Sequence, residues 1–207
     1  MGRYNFDKIV DRKHTKSLKY DFAVQRGKPA DVLPFWVADM DFEIPSELKQ
    51  VLLDRVNHGI FGYTESDDAY FNVLKEWFAS RFNWNIDKKW LVKTPGVVFA
   101  LAMAVRAFTK EGEGVLINQP VYYPFSMVID DNDRNLINVP LIQGADTYTI
   151  DFEGVERAIV EHNVTLFLLC NPHNPVGRVW TEDELKRLGD ISVSYTHLRA
   201  HETRSNL

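Results

Sequence analysis

The sequence holds one cysteine in 207 residues, Cys170. A single thiol closes no disulfide within the chain and supplies no cysteine-based zinc site. Cys170 ends the apolar run from Val164, where a buried small hydrophobe is the favoured reading over a reactive thiol. No apolar stretch approaches the roughly 20 residues that a membrane helix needs. The stretch Met1–Asp7 has no apolar core after Arg3, so it does not read as a secretory signal. Phe6 stands where a myristoylation motif wants Ser or Thr. These absences exclude a membrane partner and point to the cytoplasm. Cations are also in deficit: 24 Lys and Arg face 29 Asp and Glu, for a formal net charge of −5. A nucleic-acid partner is thereby excluded, because phosphate binding needs a broad basic surface. No Gly-Lys-Ser/Thr follows Gly96, so there is no Walker loop.

What remains is ordinary globular material, 45% hydrophobic and 26% charged. The first 45 residues read as irregular. Ser46 then caps a helix with Leu48, Val51, Leu52 and Val56 as its apolar positions, and Gly59 stops it. Ser66 caps a second helix, with Asp67 and Asp68 in its first turn and Tyr70, Val73, Leu74, Trp77 and Phe78 at helical spacing. A third helix starts after Gly96, with Val98, Leu101, Ala102 and Val105 on one face. Beyond it, strand and helix alternate. Strands are expected over 114–118, 136–141 and 164–170, and helices over 124–129, after Asp151 with Val155, Ala158 and Ile159 inward, and after Thr181. Thr181 and Glu184 form a capping box. This alternation predicts an α/β domain with a mostly parallel sheet and flanking helices. From Ser192 onward the pattern fails. The tail 192–207 has neither an apolar period nor a strand run and reads as non-native, with authentic sequence ending near Ile191.

Four constellations carry candidate chemistry. In Cys170-Asn171-Pro172-His173-Asn174-Pro175-Val176-Gly177, an apolar strand runs into a turn and then a helix. Ligands of open α/β sheets bind at the carboxyl ends of strands, and Pro175 biases Asn174 toward an extended backbone that aims its amide. In Thr94-Pro95-Gly96-Val97-Val98, free N–H groups at a helix start form an anion site, which Gly96 lets a ligand approach closely. In Pro120-Val121-Tyr122-Tyr123, two tyrosines at a strand end offer an aromatic face for a flat ring. Phe61-Gly62-Tyr63-Thr64 lies between two helices. Each has a plain structural alternative: a strand-to-helix turn, an ordinary helix start, a core tyrosine and a tight turn.

In order and spacing, the four together resemble the MalY/PatB group of pyridoxal 5'-phosphate (PLP) enzymes, within the fold type I, class I/II aminotransferase superfamily. The resemblance covers about residues 3–191. It includes Tyr4-Asn5-Phe6-Asp7, Asp11-Arg12, Thr15-Lys16-Ser17-Leu18-Lys19 and Trp36-Val37-Ala38-Asp39-Met40-Asp41-Phe42, besides the constellations above. It implies an incomplete fold type I transferase. Residues 1–45 would be an N-terminal arm and small-domain segment, and 46–191 part of the large cofactor-binding domain.

The resemblance also implies roles. The N–H groups around Gly96, Val97 and Val98 would hold the PLP phosphate. Tyr122 would stack on the pyridine ring, and Asn174 would hydrogen-bond its phenolic oxygen. Tyr63 would reach the phosphate of a neighbouring subunit's cofactor, which implies a homodimer. The backbone at Ala38 and Asp39 would line the substrate-carboxylate side. The implied activity is carbon–sulfur β-lysis of a small amino acid, of the cystathionine β-lyase type, giving homocysteine, pyruvate and ammonia. An aminotransferase on the same scaffold is the alternative, and a non-catalytic regulatory binding protein is the alternative of another class. The family's Schiff-base lysine would lie beyond residue 207. The chain by itself is therefore expected to be inactive and to leave apolar helix faces uncovered.

Overall fold

The computed structural model describes residues 4–195 and the backbone of 199–200. The expectations for Met1–Arg3 and for most of the tail fall outside those residues. Two compact units divide the chain, Met1–Glu65 and Ser66–Leu207.

The first unit carries α1 (Leu18–Asp21), a 3-10 turn at Val24–Arg26 and α2 (Ser46–His58). Its irregular part is organised by charge and by local side-chain bonds to the backbone. The Asp21 carboxylate accepts from the N–H groups of His14 at 2.9 Å and Ser17 at 3.1 Å. Lys19, only 7% exposed, pairs with Asp41 at 2.8 Å. Arg12 pairs with both Asp39 and Asp41. The expected Ser46 cap is displaced. Pro45 holds the cap position without a side-chain bond, and Ser46 is already helical, its hydroxyl donating to Glu47 at 3.1 Å. α2 buries none of its residues, and Leu48, Val51, Leu52 and Val56 are all exposed.

The second unit opens with α3 (Asp68–Phe82), followed by a 3-10 turn at Lys88–Trp90 and α4 (Val97–Phe108). Here Asp67 caps α3 in place of Ser66, accepting from the Tyr70 N–H. Both residue types cap well, and the helix begins one residue later than expected, at Asp68. Phe71 is the buried residue of α3, whereas Val73 and Trp77 of the expected stripe are exposed.

Then follow β1 (Gly114–Ile117), α5 (Pro124–Asp130), β2 (Asn135–Asn138), the short pair β3 (Ile142–Gln143) and β4 (Tyr148–Thr149), α6 (Phe152–Glu161), β5 (Val164–Phe167), α7 (Glu182–Ser194) and β6 (Arg199–Ala200). The main sheet runs β2-β1-β5-β6, every neighbour parallel. The mostly parallel sheet with flanking helices is thus borne out. β3 and β4 form a separate antiparallel pair. β2 and β5 are shorter than the apolar runs that predicted them. α7 continues through Ser192, which is buried with its hydroxyl donating to the Leu188 carbonyl at 2.8 Å.

The sheet has apolar cover on both faces. Leu116 packs with Val155, Ile159, Phe167 and Leu188 under α6 and α7. Val115 and Ile117 pack with Leu101, Val105, Phe125 and Leu166 under α4 and α5. All four β1 residues are buried, the mark of a strand covered on both sides. Each Leu, Ile or Val so buried contributes about 1.5–3 kcal/mol. This packing fixes the direction of α4. Its last turn reaches the amino edge of the sheet, where Arg134 donates to the Thr109 carbonyl at 2.7 Å. Its first turn therefore lies toward the carboxyl edge.

Candidate functional site at the carboxyl edge of the sheet

Three sequence elements meet that edge: the start of α4, the loop after β1 and the turn after β5. At the first, Gly96 takes φ 138° and ψ 165°, a region open in practice only to glycine. An added Cβ there would meet nothing within 4 Å, so the requirement is conformational and not steric. No side chain caps α4, which leaves the first-turn N–H groups directed outward with the positive end of the helix dipole. Val97 and Val98 are exposed beside it.

In the loop after β1, the Gln119 N–H donates to Asn138 at 3.0 Å and the Gln119 carbonyl accepts from the Leu141 N–H at 2.8 Å. Buried Asn118 donates to the Val139 carbonyl at 2.8 Å. The strapped loop ends in Tyr122, which is 39% exposed and whose ring meets Tyr123 edge-on at 5.3 Å.

After β5, the His173 N–H donates to the Arg178 carbonyl at 2.6 Å and the Gly177 N–H to the His173 carbonyl at 2.8 Å. Asn174 opens the resulting turn and is exposed, and its side-chain amide makes no hydrogen bond among the described residues. Trp180, 3% exposed, fastens the turn from behind, its indole N–H donating to the Cys170 carbonyl at 2.9 Å. Arg178 pairs with Glu184, the acidic member of the α7 capping box. Cys170 is half-buried and not fully enclosed, and burial pushes its thiol up.

Sequence reasoning gave no role to His173. It is 2% exposed, and its Nε2 lies 3.0 Å from the Pro120 carbonyl oxygen. That bond joins the Tyr122 loop to the Asn174 turn. The residue stands inside the Asn-Pro-His-Asn-Pro run, so only a long-range contact distinguishes it from its neighbours. Gly96, Val97, Val98, Tyr122 and Asn174 therefore share one edge of the second unit. Tyr63, Ala38 and Asp39 belong to the first unit, all exposed. There Arg12 and Lys19 converge on Asp39 and Asp41, a charge cluster whose members are legible in the sequence only as separate residues.

The donor set fits a flat anionic group: outward N–H groups for an anion, an exposed aromatic face and an unengaged amide. Among the described residues, no group of His, Cys, Asp and Glu could hold a metal ion. None of the described helices is long and apolar enough to cross a membrane. Residues 30–199 match the model of the aminotransferase class I and II family. The chain belongs to this family.

Within it, the chain is 41% identical over 191 residues to cystathionine beta-lyase PatB of Bacillus subtilis, covering 92% of this chain and 49% of that protein. It is 34% identical over 189 residues to protein MalY of Escherichia coli, covering 91% and 48%. Among solved structures, cystalysin of Treponema denticola, which contains a pyridoxal 5'-phosphate cofactor, superposes with a TM-score of 0.82 at 40% identity, covering 92% and 49%. The chain spans about half the length of the relatives it matches, so it presents about half of the aminotransferase fold.

Proposed function

We propose that the full-length protein is a PLP-dependent carbon–sulfur β-lyase acting on a small sulfur amino acid of the cystathionine type. The observation that carries this reading is the shared edge of Gly96, Tyr122 and Asn174, in a chain so similar to a cystathionine beta-lyase. The N–H groups of Gly96, Val97 and Val98 would hold the cofactor phosphate, with the α4 dipole behind them. The exposed face of Tyr122 would stack against the pyridine ring. The Asn174 amide would donate to the ring's phenolic oxygen. Bound there, PLP would supply an electron sink for the pair left when the substrate α-proton is removed, and return of that pair would expel a thiolate from the β-carbon.

The backbone at Ala38 and Asp39 would face the substrate carboxylate; Arg12 holds that segment by the Asp39 carboxylate, and Lys19 by the Asp39 carbonyl and the Asp41 carboxylate. Tyr63 would serve the site of a second copy, in a homodimer. The cytoplasm is the compartment that suits such an enzyme. The proposed roles put an anion site, a ring face and a hydrogen-bond donor at one end of the sheet.

An aminotransferase is the second reading, favoured by the family itself, because one scaffold supports both reactions. The full-length protein is to be assayed for pyruvate release from cystathionine and for amino transfer to 2-oxoglutarate. Pyruvate release in excess supports the lyase. Amino transfer without pyruvate overturns it in favour of the aminotransferase, and absence of both overturns the two together.

A further inference from the structure

His173 lies at a junction that the cofactor reading leaves unused. Its ring nitrogen Nε2 is 3.0 Å from the Pro120 carbonyl oxygen, two residues before Tyr122. Its own backbone N–H and carbonyl close the turn that begins at Asn174. One residue thus holds the Tyr122 loop through its side chain and the Asn174 turn through its main chain. A carbonyl oxygen only accepts, so Nε2 must carry the hydrogen. Nδ1 is buried without a hydrogen-bond partner among the described residues. The ring is kept in place by Trp180, edge-on at 5.3 Å between centroids. The donor is therefore fixed in tautomer and in orientation.

We infer that His173 is a positioning residue that sets the spacing between Tyr122 and Asn174, and through it the seat of the PLP ring. The inference rests on the proposal that the full-length protein binds PLP. Loss of the Nε2 donor leaves a loop carbonyl unpaired and releases Tyr122 from Asn174, while the phosphate site at Gly96 stands on a different element.

The test uses the full-length protein with His173→Phe, His173→Gln and His173→Asn, each stripped of PLP and titrated with it. The amide nitrogen of Gln falls near the place of Nε2, whereas that of Asn falls near Nδ1 and does not reach Pro120. Affinity for PLP and the visible circular dichroism of the bound cofactor are read. Melting of the PLP-free proteins reports folding separately. His173→Phe is expected to bind PLP about tenfold more weakly with altered dichroism, the factor that corresponds to one lost buried hydrogen bond. His173→Gln should stay within about threefold of wild type with an unchanged signal, and His173→Asn should follow His173→Phe. Should His173→Phe not fold, the comparison of Gln with Asn decides. Equal affinity and equal dichroism for Gln and Asn overturn the inference while PLP binding by the wild type stands. A wild type that binds no PLP overturns the cofactor reading, and this inference with it.

Discussion

The ammonium of Lys19, a buried lysine, lies 2.8 Å from Oδ2 of Asp41 and 3.2 Å from the carbonyl oxygen of Asp39. Arg12 approaches the other oxygen of Asp41 at 2.6 Å, and the Tyr20 hydroxyl donates to it at 3.1 Å. Hydrogen bonds from Lys19 and then Arg12 hold the Asp41 carboxyl down at about 2. A carboxylate depressed in the folded state binds its proton more readily once unfolded. Its stabilising effect is full above the ordinary value near 3.8 and is lost as pH falls toward 2. Thermal melts of wild type and Asp41→Asn should therefore differ at pH 7 and converge near pH 2. A gap that persists at pH 2 would count against the charge network.

His173 gives a second acid limb, in a different window. Burial holds its imidazole below the ordinary value of 6.5. The unfolded chain then takes up a proton that the folded chain refuses, so stability declines as pH falls below 6.5. His173→Phe should flatten this decline without touching the one near pH 3. Urea midpoints measured between pH 7 and 5 check it.

Gly114 lets two chain segments come close. A Cβ there would sit 2.8 Å from the His162 carbonyl oxygen and 3.2 Å from Cα of Val164. Both are backbone atoms that cannot swing aside. Gly114→Ala is expected to destabilise the second unit by about 1–3 kcal/mol, read from denaturant unfolding with an unchanged slope.

The capping box offers a cleaner separation of effects. Thr181 accepts from the Glu184 N–H, and Glu184 accepts from the Thr181 N–H at 2.7 Å and from Arg178. Thr181→Ala should cost about 1 kcal/mol. Glu184→Gln keeps an acceptor for the cap and loses the charge opposite Arg178, so it should cost less. Equal losses in chemical denaturation would place the weight on the ion pair.

At the anion site, Gly96→Ala forces a Cβ into a backbone region that costs about 1–3 kcal/mol to hold. The expected response is a turned first peptide in α4 and weaker PLP binding by the full-length protein. Absorbance titration checks it, and unchanged affinity would detach Gly96 from the phosphate.

Local rules were legible wherever the deciding atoms are near in sequence. The α4 start at Gly96, the Asp151 bond to the Gly154 N–H and the Thr181 box follow from spacing alone. Ser46 and Ser66 misled by one residue because a neighbour could start or cap the turn as well. The 164–170 run gave a ladder only to Phe167, whose partner in β1 is Leu116. Whether an apolar stripe is buried depends on what packs against it, so α2 and α3 could not be read from period. The candidate residues at the sheet edge were legible as motifs, but the bond from His173 to Pro120 spans loops far apart in the chain. No local pattern announces it.

β1 stands between β2 and β5, buried on both faces. Its neighbours come later in the chain, one after α5 and the other after α6. On the ribosome, where residues emerge at about 5–20 per second, β1 is made first and gains its second neighbour only once β5 has emerged. For some seconds Val115, Leu116 and Ile117 wait with an open edge, and that interval is when the nascent chain is most exposed to capture by a chaperone or by another copy of itself.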